Sequence, residues 1–252
     1  MIKRFLEASR MIYESPSDPA LTDWLNISEF EELFWEESIR IQNFDRALSN
    51  EQPYFVQQHP STSHIGPGAK HVDEWLPLLL FGKHVSGDIR NWDSTMEVCA
   101  TRTGSGDPKT DNGCSFDAIY RIVSNQPHIS PDREGYLEIT RAMNPRQGAD
   151  LVRHDREMSR VGVVIDKFRP FGISVQEVER EIKRAVLRKA AKHYEPNTSL
   201  LIWLRDEPPL LEKQLSDAPL LRDVAKLSNG VFANICTVGL KTGVRWLYGN
   251  AL

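Results

Sequence analysis

Two acidic residues in separate apolar segments are the first candidates for chemistry. Asp117 falls near the start of residues 115–123, and Glu138 falls in the middle of residues 135–140. If both segments are neighbouring strands, alternation of side chains can bring the two carboxylates to one point on one face of a sheet. Like charges held that close cost free energy unless a cation or a proton lies between them. The pair therefore predicts a hard divalent ion such as Mg²⁺ or Mn²⁺, which prefers oxygen ligands.

The same two carboxylates admit a purely structural interpretation. In it, each carboxylate forms hydrogen bonds with a nearby arginine and holds no metal ion. The candidate arginines are Arg102, Arg121 and Arg141. The sequence leaves this alternative open.

The segments around the pair predict a sheet. Short apolar segments bounded by Gly, Pro, Asn and Asp are typical of strands. The strands predicted in this way are residues 95–101, 115–123, 135–140, 199–204, 230–238 and 244–248. The first three follow one another closely enough to form an antiparallel meander, and a helix over about residues 71–83 precedes them.

The strongest helical pattern spans residues 174–194. Its apolar residues, which include Val178, Ile182 and Val186, fall on one stripe at helical spacing. The segment that follows, residues 199–204, is apolar almost throughout, which is typical of a strand covered on both faces. We therefore expect one continuous helix packed on a central sheet.

Residues 1–70 predict a helical N-terminal extension that ends in a linker, and residues 71–252 predict the α/β core with its C-terminal strands. Ser28 and Glu31 have the spacing of a capping box at a helix start. Prolines and glycines accumulate in residues 51–70, which disfavours regular structure there. The predicted helix also carries an acidic cluster, which is either a surface for a protein partner or an ordinary solvated face. The cluster comprises Glu29, Glu31, Glu32, Glu36 and Glu37.

The predicted elements run in the order helix, three-strand meander, basic amphipathic helix and apolar strand. With Asp117 and Glu138, this order resembles the core of the PD-(D/E)xK nuclease superfamily over about residues 72–204. The resemblance implies a restriction-endonuclease-like α/β core, in which helices flank a central mixed sheet. It also implies that Asp117 and Glu138 bind the metal ion, with the Ile139 backbone carbonyl as a third ligand. Similarity to some members implies Glu74, before the meander, as a further ligand.

The chain departs from the family signature at Thr140, where the signature has a lysine that helps to activate water. A hydroxyl carries no positive charge, although it can orient a water molecule by hydrogen bonding. Strand alternation turns Arg141 to the other face, so Arg141 is a poor substitute. We therefore expect Lys183 or Lys189, on the helix after the meander, to supply the missing cation.

Two groups of basic residues lie near the predicted site. The first, on the 174–194 helix, comprises Arg180, Lys183, Arg184, Arg188, Lys189 and Lys192, and the second comprises Arg141, Arg146, Arg153, Arg156 and Arg160. Such side chains contact phosphates in nucleic-acid complexes. Glutamates are interleaved with the basic residues on the same helix, so the pattern is equally compatible with an ordinary salt-bridged, solvated face. The net charge of −4 disfavours coating of nucleic acid by bulk charge but permits a local basic groove.

Two functions are compatible with these features. The first is a metal-dependent nuclease that hydrolyses phosphodiester bonds of DNA or RNA. The second is a catalytically inactive nuclease-fold module that binds nucleic acid or a protein partner. We expect no membrane span, because no apolar run approaches about 20 residues. We also expect a cytoplasmic protein, because the first residues lack the pattern of a secretory signal.

Overall fold

The computed structural model describes residues 22–36, 74–89, 93–100, 116–125, 133–142, 174–204, 207–208 and 210–249. The strands are β1 (Leu25–Asn26), β2 (Ser94–Ala100), β3 (Ala118–Ser124), β4 (Arg133–Arg141), β5 (Thr198–Leu204), β6 (Asn234–Gly239) and β7 (Gly243–Tyr248). The helices are α1 (residues 27–36), α2 (Leu76–Ile89), α3 (Val175–Ala190), α4 (Leu211–Leu215) and α5 (Ala218–Ser228). The predicted α/β class, a central mixed sheet with flanking helices, is confirmed.

The seven strands form one sheet in which spatial order follows chain order, from β1 to β7. Strands β1 to β4 are antiparallel neighbours, β4, β5 and β6 are parallel, and β7 is antiparallel to β6. Parallel neighbours need a long crossover connection, and α3 lies in the one between β4 and β5. All six predicted strands are present, with ends that differ by up to four residues from the prediction.

The sheet carries a separate apolar core on each face. On the first face, Leu137 and Ile139 of β4 lie in one cluster with residues of α1 and α2. On the second face, Leu200 and Ile202 of β5 lie in a cluster with residues of α3, α4 and α5. Glu138 is the register partner of Leu200, so alternation along β4 turns Glu138 toward the second face.

Helix α3 has a complete start signal. The Ser174 side chain accepts a hydrogen bond from the Glu177 backbone N–H at 3.2 Å, and the Glu177 carboxylate accepts one from the Ser174 N–H at 2.8 Å. This reciprocal capping box satisfies two backbone donors that the helix cannot. The helix ends at Ala190, four residues earlier than predicted. Because β5 begins at Thr198, the residues between the two elements are needed to reverse the chain.

The described N-terminal residues join the first-face core. Phe30 of α1 packs against Trp75, with ring centroids 5.5 Å apart. The predicted capping box at Ser28 is wrong, because the Asn26 side chain accepts hydrogen bonds from the N–H groups of Ser28 and Glu29. Asn26 ends β1, a two-residue strand that the sequence did not reveal.

Several predictions concern other parts of the chain. The linker over residues 51–70 lies outside the described residues, so the predicted domain boundary stays a prediction. The same holds for the basic residues Arg146, Arg153, Arg156 and Arg160. In the described ranges, no helix has both the length and the apolar content needed to cross a membrane.

Candidate functional site

Asp117 lies immediately before β3 and beside the middle of β4. Its backbone N–H donates to the Leu137 carbonyl at 2.8 Å, and its side-chain Oδ2 accepts the Ile139 N–H at 2.7 Å. Ala118 is the register partner of Leu137, so continuing the antiparallel register by one residue sets Asp117 opposite Glu138. The two carboxylates are therefore neighbours on the sheet, and their shared binding of a metal ion stays a prediction. Because β3 begins at Ala118, the Asp117 carboxylate takes over the hydrogen bond that a longer strand would make.

Glu138 is a buried acid in the centre of the sheet, only 6% exposed. Its carboxylate forms an ion pair and hydrogen bond with the ammonium group of Lys189. Burial, and then the negative charge of Asp117, raise the pKa of Glu138 to about 7, against the opposing effect of Lys189. Near neutral pH, this carboxyl therefore lies close to the balance between its charged and neutral forms.

The last turn of α3 brings two cations to β4. Lys189 meets Glu138, and the Arg188 Nη2 donates to the buried Thr140 hydroxyl at 2.9 Å. Glu138 and Thr140 are two residues apart on one strand, so their side chains share the second face. Cations at a helix C-terminus also interact favourably with the helix dipole. The positive charge next to Glu138 and Thr140 therefore comes from α3 and not from β4 itself.

Two further residues approach the carboxylate pair from the chain beyond α3. The positive charge of Lys192 acts to lower the pKa of Glu138. The Tyr194 hydroxyl is buried, and burial followed by the negative charges of Glu138 and Asp117 raises its pKa. Its ring packs on Phe232, with centroids 5.0 Å apart. The site therefore combines two carboxylates, three cations and a phenol.

Lys183, the other predicted lysine, is not brought to the site. Its ammonium group binds Glu179 and Asp223, both at 2.7 Å. Six residues separate Lys183 from Lys189, which is about 240° of rotation around a helix, so the two side chains leave α3 in different directions. Lys183 faces α5, where Asp223 lies. Of the two predicted lysines, Lys189 is the one that contacts Glu138.

Glu74, the predicted further metal ligand, is also not placed with the pair. It precedes α2, whose apolar residues pack on the first face, whereas Glu138 faces the second. Within the described ranges, no three His, Cys, Asp or Glu side chains are arranged to share a metal ion. For Ile139, the backbone N–H is engaged by Asp117, and metal binding by its carbonyl stays a prediction.

The arginines of the structural interpretation are placed differently from one another. Arg121 binds Glu97, with its Nε 2.6 Å from the carboxylate, and lies over the Trp24 ring. Arg102 lies outside the described residues. Arg141 is the register partner of Trp203, a residue of the first-face core, and so alternates away from Glu138. The cation that meets Glu138 is a lysine of α3.

Protein-family models, curated proteins and solved structures were compared with this chain, and none matches. The chemistry of the site therefore has to be argued from its own residues. Two carboxylates held side by side supply oxygen ligands, and Lys189 and Arg188 supply donors for an anion next to them. This combination suits an anionic substrate bound together with a hard cation.

Only part of this group of residues could be predicted from the sequence. Arg188 and Lys192 belong to a basic group of six, and nothing in the sequence distinguishes them from the other four. Tyr194 falls on the apolar stripe of the predicted 174–194 helix, so its spacing predicts a core residue. Their position in the chain is the one feature that could have indicated them. The residues near β4 all follow Val186, the last buried residue of the apolar stripe.

Proposed function

We propose that this protein is a metal-dependent phosphodiesterase that acts on nucleic acid, with Asp117 and Glu138 as the metal ligands. The observation that carries the proposal is the convergence of Asp117, Glu138 and Lys189 at one point of the sheet. The strand order supports it, since an antiparallel meander followed by a helix and a parallel strand is what resemblance to PD-(D/E)xK nucleases implies.

The donor set fits Mg²⁺ or Mn²⁺. Both carboxylates are oxygen donors, and Mg²⁺ is commonly held by one or two carboxylates, with water and substrate phosphates completing its coordination. The Ile139 N–H fixes the orientation of the Asp117 carboxylate. Burial, and then the negative charge of Asp117, raise the pKa of Glu138, and a bound cation would favour its charged form. A bound ion would polarise the phosphate and lower the pKa of water.

The chain's own residues have distinct parts in this proposal. Glu138 must be deprotonated to act as a ligand, and a ligand ion would take the place of Lys189 as its counter-charge. Lys189 would then be released from the carboxylate while remaining within reach of it. Its ammonium group carries three donors and can hold a phosphate oxygen or the attacking water, as the signature lysine is expected to do.

The catalytically inactive module is a second candidate because of the ion pair between Lys189 and Glu138. Lys189 already supplies a positive partner for Glu138, so the fold does not require a metal ion to hold this carboxylate. In that case the site would be a remnant, and binding of nucleic acid or protein would be the function. Metal affinity separates the two candidates.

The test is a calorimetric titration with Mn²⁺ of the wild type, Asp117→Asn and Glu138→Gln. Glu134→Gln is the matched control, since Glu134 lies exposed at the start of the same strand. Cleavage of labelled DNA and RNA is followed in parallel with Mg²⁺, Mn²⁺ or EDTA. We expect both site variants to lose metal binding and cleavage, and the control to keep both. Equal Mn²⁺ affinity in all four proteins would refute the proposal.

A further inference from the structure

The guanidinium of Arg188 is positioned by one hydrogen bond and has donors left over. Its Nη2 donates to Thr140 Oγ1 at 2.9 Å, and this is its one hydrogen bond within the part of the chain that the structure describes. A guanidinium carries five N–H donors in a rigid fork. The Thr140 side chain is buried, whereas Arg188 is exposed. The remaining donors are therefore available at the surface, directly beside the carboxylate site.

A second positive charge acts on the same carboxylate. Lys192 is exposed, and its charge opposes the rise in the pKa of Glu138. The Lys189 ammonium is engaged with Glu138, so among the described cations of the site Arg188 is the one that a hydrogen bond positions for an external anion. Neighbouring Arg184 differs, because it binds Glu181 of the same helix at 2.7 Å.

We infer that Arg188, anchored by the Thr140 hydroxyl, is the substrate-positioning residue that binds a backbone phosphate of the nucleic acid. This inference rests on the proposed function. Arginine recognises phosphate through two parallel N–H···O bonds, which fix orientation as well as add binding energy. The departure at Thr140 then has a purpose. Where the family signature has a lysine, this chain has a hydroxyl that holds an arginine in place.

The experiment measures binding and chemistry separately. The probe is a short fluorescein-labelled oligonucleotide, as single-stranded DNA, single-stranded RNA and duplex DNA, titrated by fluorescence anisotropy in Ca²⁺, where cleavage is suppressed. The variants are Arg188→Gln, Thr140→Val and Thr140→Ser, with Arg184→Gln as the matched control. Mn²⁺ affinity of each variant is measured without oligonucleotide. The kcat and KM for cleavage are measured in Mg²⁺.

We expect Arg188→Gln to weaken oligonucleotide binding by about tenfold or more, as loss of a charge-assisted hydrogen bond does. The salt dependence of binding should also become shallower by about one phosphate contact. Thr140→Val should weaken binding less, and Thr140→Ser should restore it because the hydroxyl is kept. Metal affinity should be unchanged in all three, and the loss in cleavage should be larger in KM than in kcat.

Two outcomes would overturn the inference. One is equal weakening by Arg188→Gln and Arg184→Gln, which would mean that only overall charge matters. The other is a wild-type protein that binds none of the oligonucleotides. The proposed function fails separately, through a wild type that neither binds Mn²⁺ at Asp117 and Glu138 nor cleaves, and Arg188-dependent binding would survive that result.

Discussion

Two lysines of helix α3 form ion pairs in two different surroundings. In the middle of the helix, Lys183 binds Glu179 and Asp223 at the protein surface, where these side chains are 29%, 31% and 51% exposed. In its last turn, Lys189 binds Glu138 inside the protein, where the two side chains are 15% and 8% exposed. Residue type and helix are shared, and only the neighbouring element differs.

The difference shows what turns an ion pair into a candidate site. The partners of Lys183 lie on helices in contact with solvent, where water screens the charges and such a pair adds little stability. The partner of Lys189 is fixed in the middle of a sheet beside a second carboxylate, Asp117. A buried pair carries a large desolvation cost and is weak evidence for stability. The proposed chemical role would explain why the pair is present.

The largest effect is expected from Ile182→Asp, because Ile182 packs the middle of α3 into the second-face core. Its side chain is fully buried in the second-face core, so the substitution would bury an unpaired charge. We expect a loss of about 4 kcal/mol in the free energy of unfolding, measured by urea denaturation. Ile182→Val is the control and should cost about 1 kcal/mol. Similar midpoints for the two variants would contradict the packing of α3.

Replacing each lysine by methionine tests the comparison directly. Lys189→Met leaves the Glu138 carboxylate buried without its cation, and we expect a loss of about 3 kcal/mol at pH 8 in EDTA. Lys183→Met removes an exposed pair and should cost less than about 1 kcal/mol. Lys189→Met should also bind Mn²⁺ more tightly than the wild type while failing to cleave, since ammonium and metal compete for one carboxylate. Equal losses of stability in the two variants would contradict the difference between the Lys183 and Lys189 ion pairs.

The last effect is a dependence of stability on pH that arises from Glu138, the partner of Lys189. Folding raises the pKa of Glu138 from 4.5 to about 7, so the folded protein holds a proton that the unfolded chain releases. The stabilisation is complete below pH 4.5 and is lost as pH rises to about 7. It amounts to about 3 kcal/mol, because one pKa unit corresponds to about 1.4 kcal/mol. The wild-type stability minus that of Glu138→Gln, measured in EDTA, should fall across this window. A flat difference would contradict the shift.

Much of the sheet could be predicted from the sequence because its strands are short apolar segments set off by turn residues. The smaller elements could not. Strand β1 has two residues and carries no periodicity. Helix α5 does have a signal in the sequence, with Asp217 at its N-cap, a proline in its first turn and Leu220 and Val224 at helical spacing, but the predicted elements do not include it.

Strand alternation predicted one part of the candidate site, the neighbouring carboxylates. Alternation along two antiparallel strands is a local property, so the pairing of Asp117 with Glu138 followed from sequence. Which lysine joins them depends on how α3 crosses the sheet, and no periodicity within α3 encodes that angle. The same holds for Glu74, whose place is decided by the face on which α2 packs.

The hydrogen bond from the Ile139 N–H to the Asp117 carboxylate turns one backbone amide into a spectroscopic reporter. An amide proton that donates to a carboxylate resonates at a frequency that depends on the charge of that carboxylate. Anything that changes the electron density on Asp117 is therefore visible at a single residue, Ile139, in a nitrogen-15 correlation spectrum. The rate at which the same proton exchanges with solvent would measure how stable the hydrogen bond to the Asp117 side chain is at the start of β3.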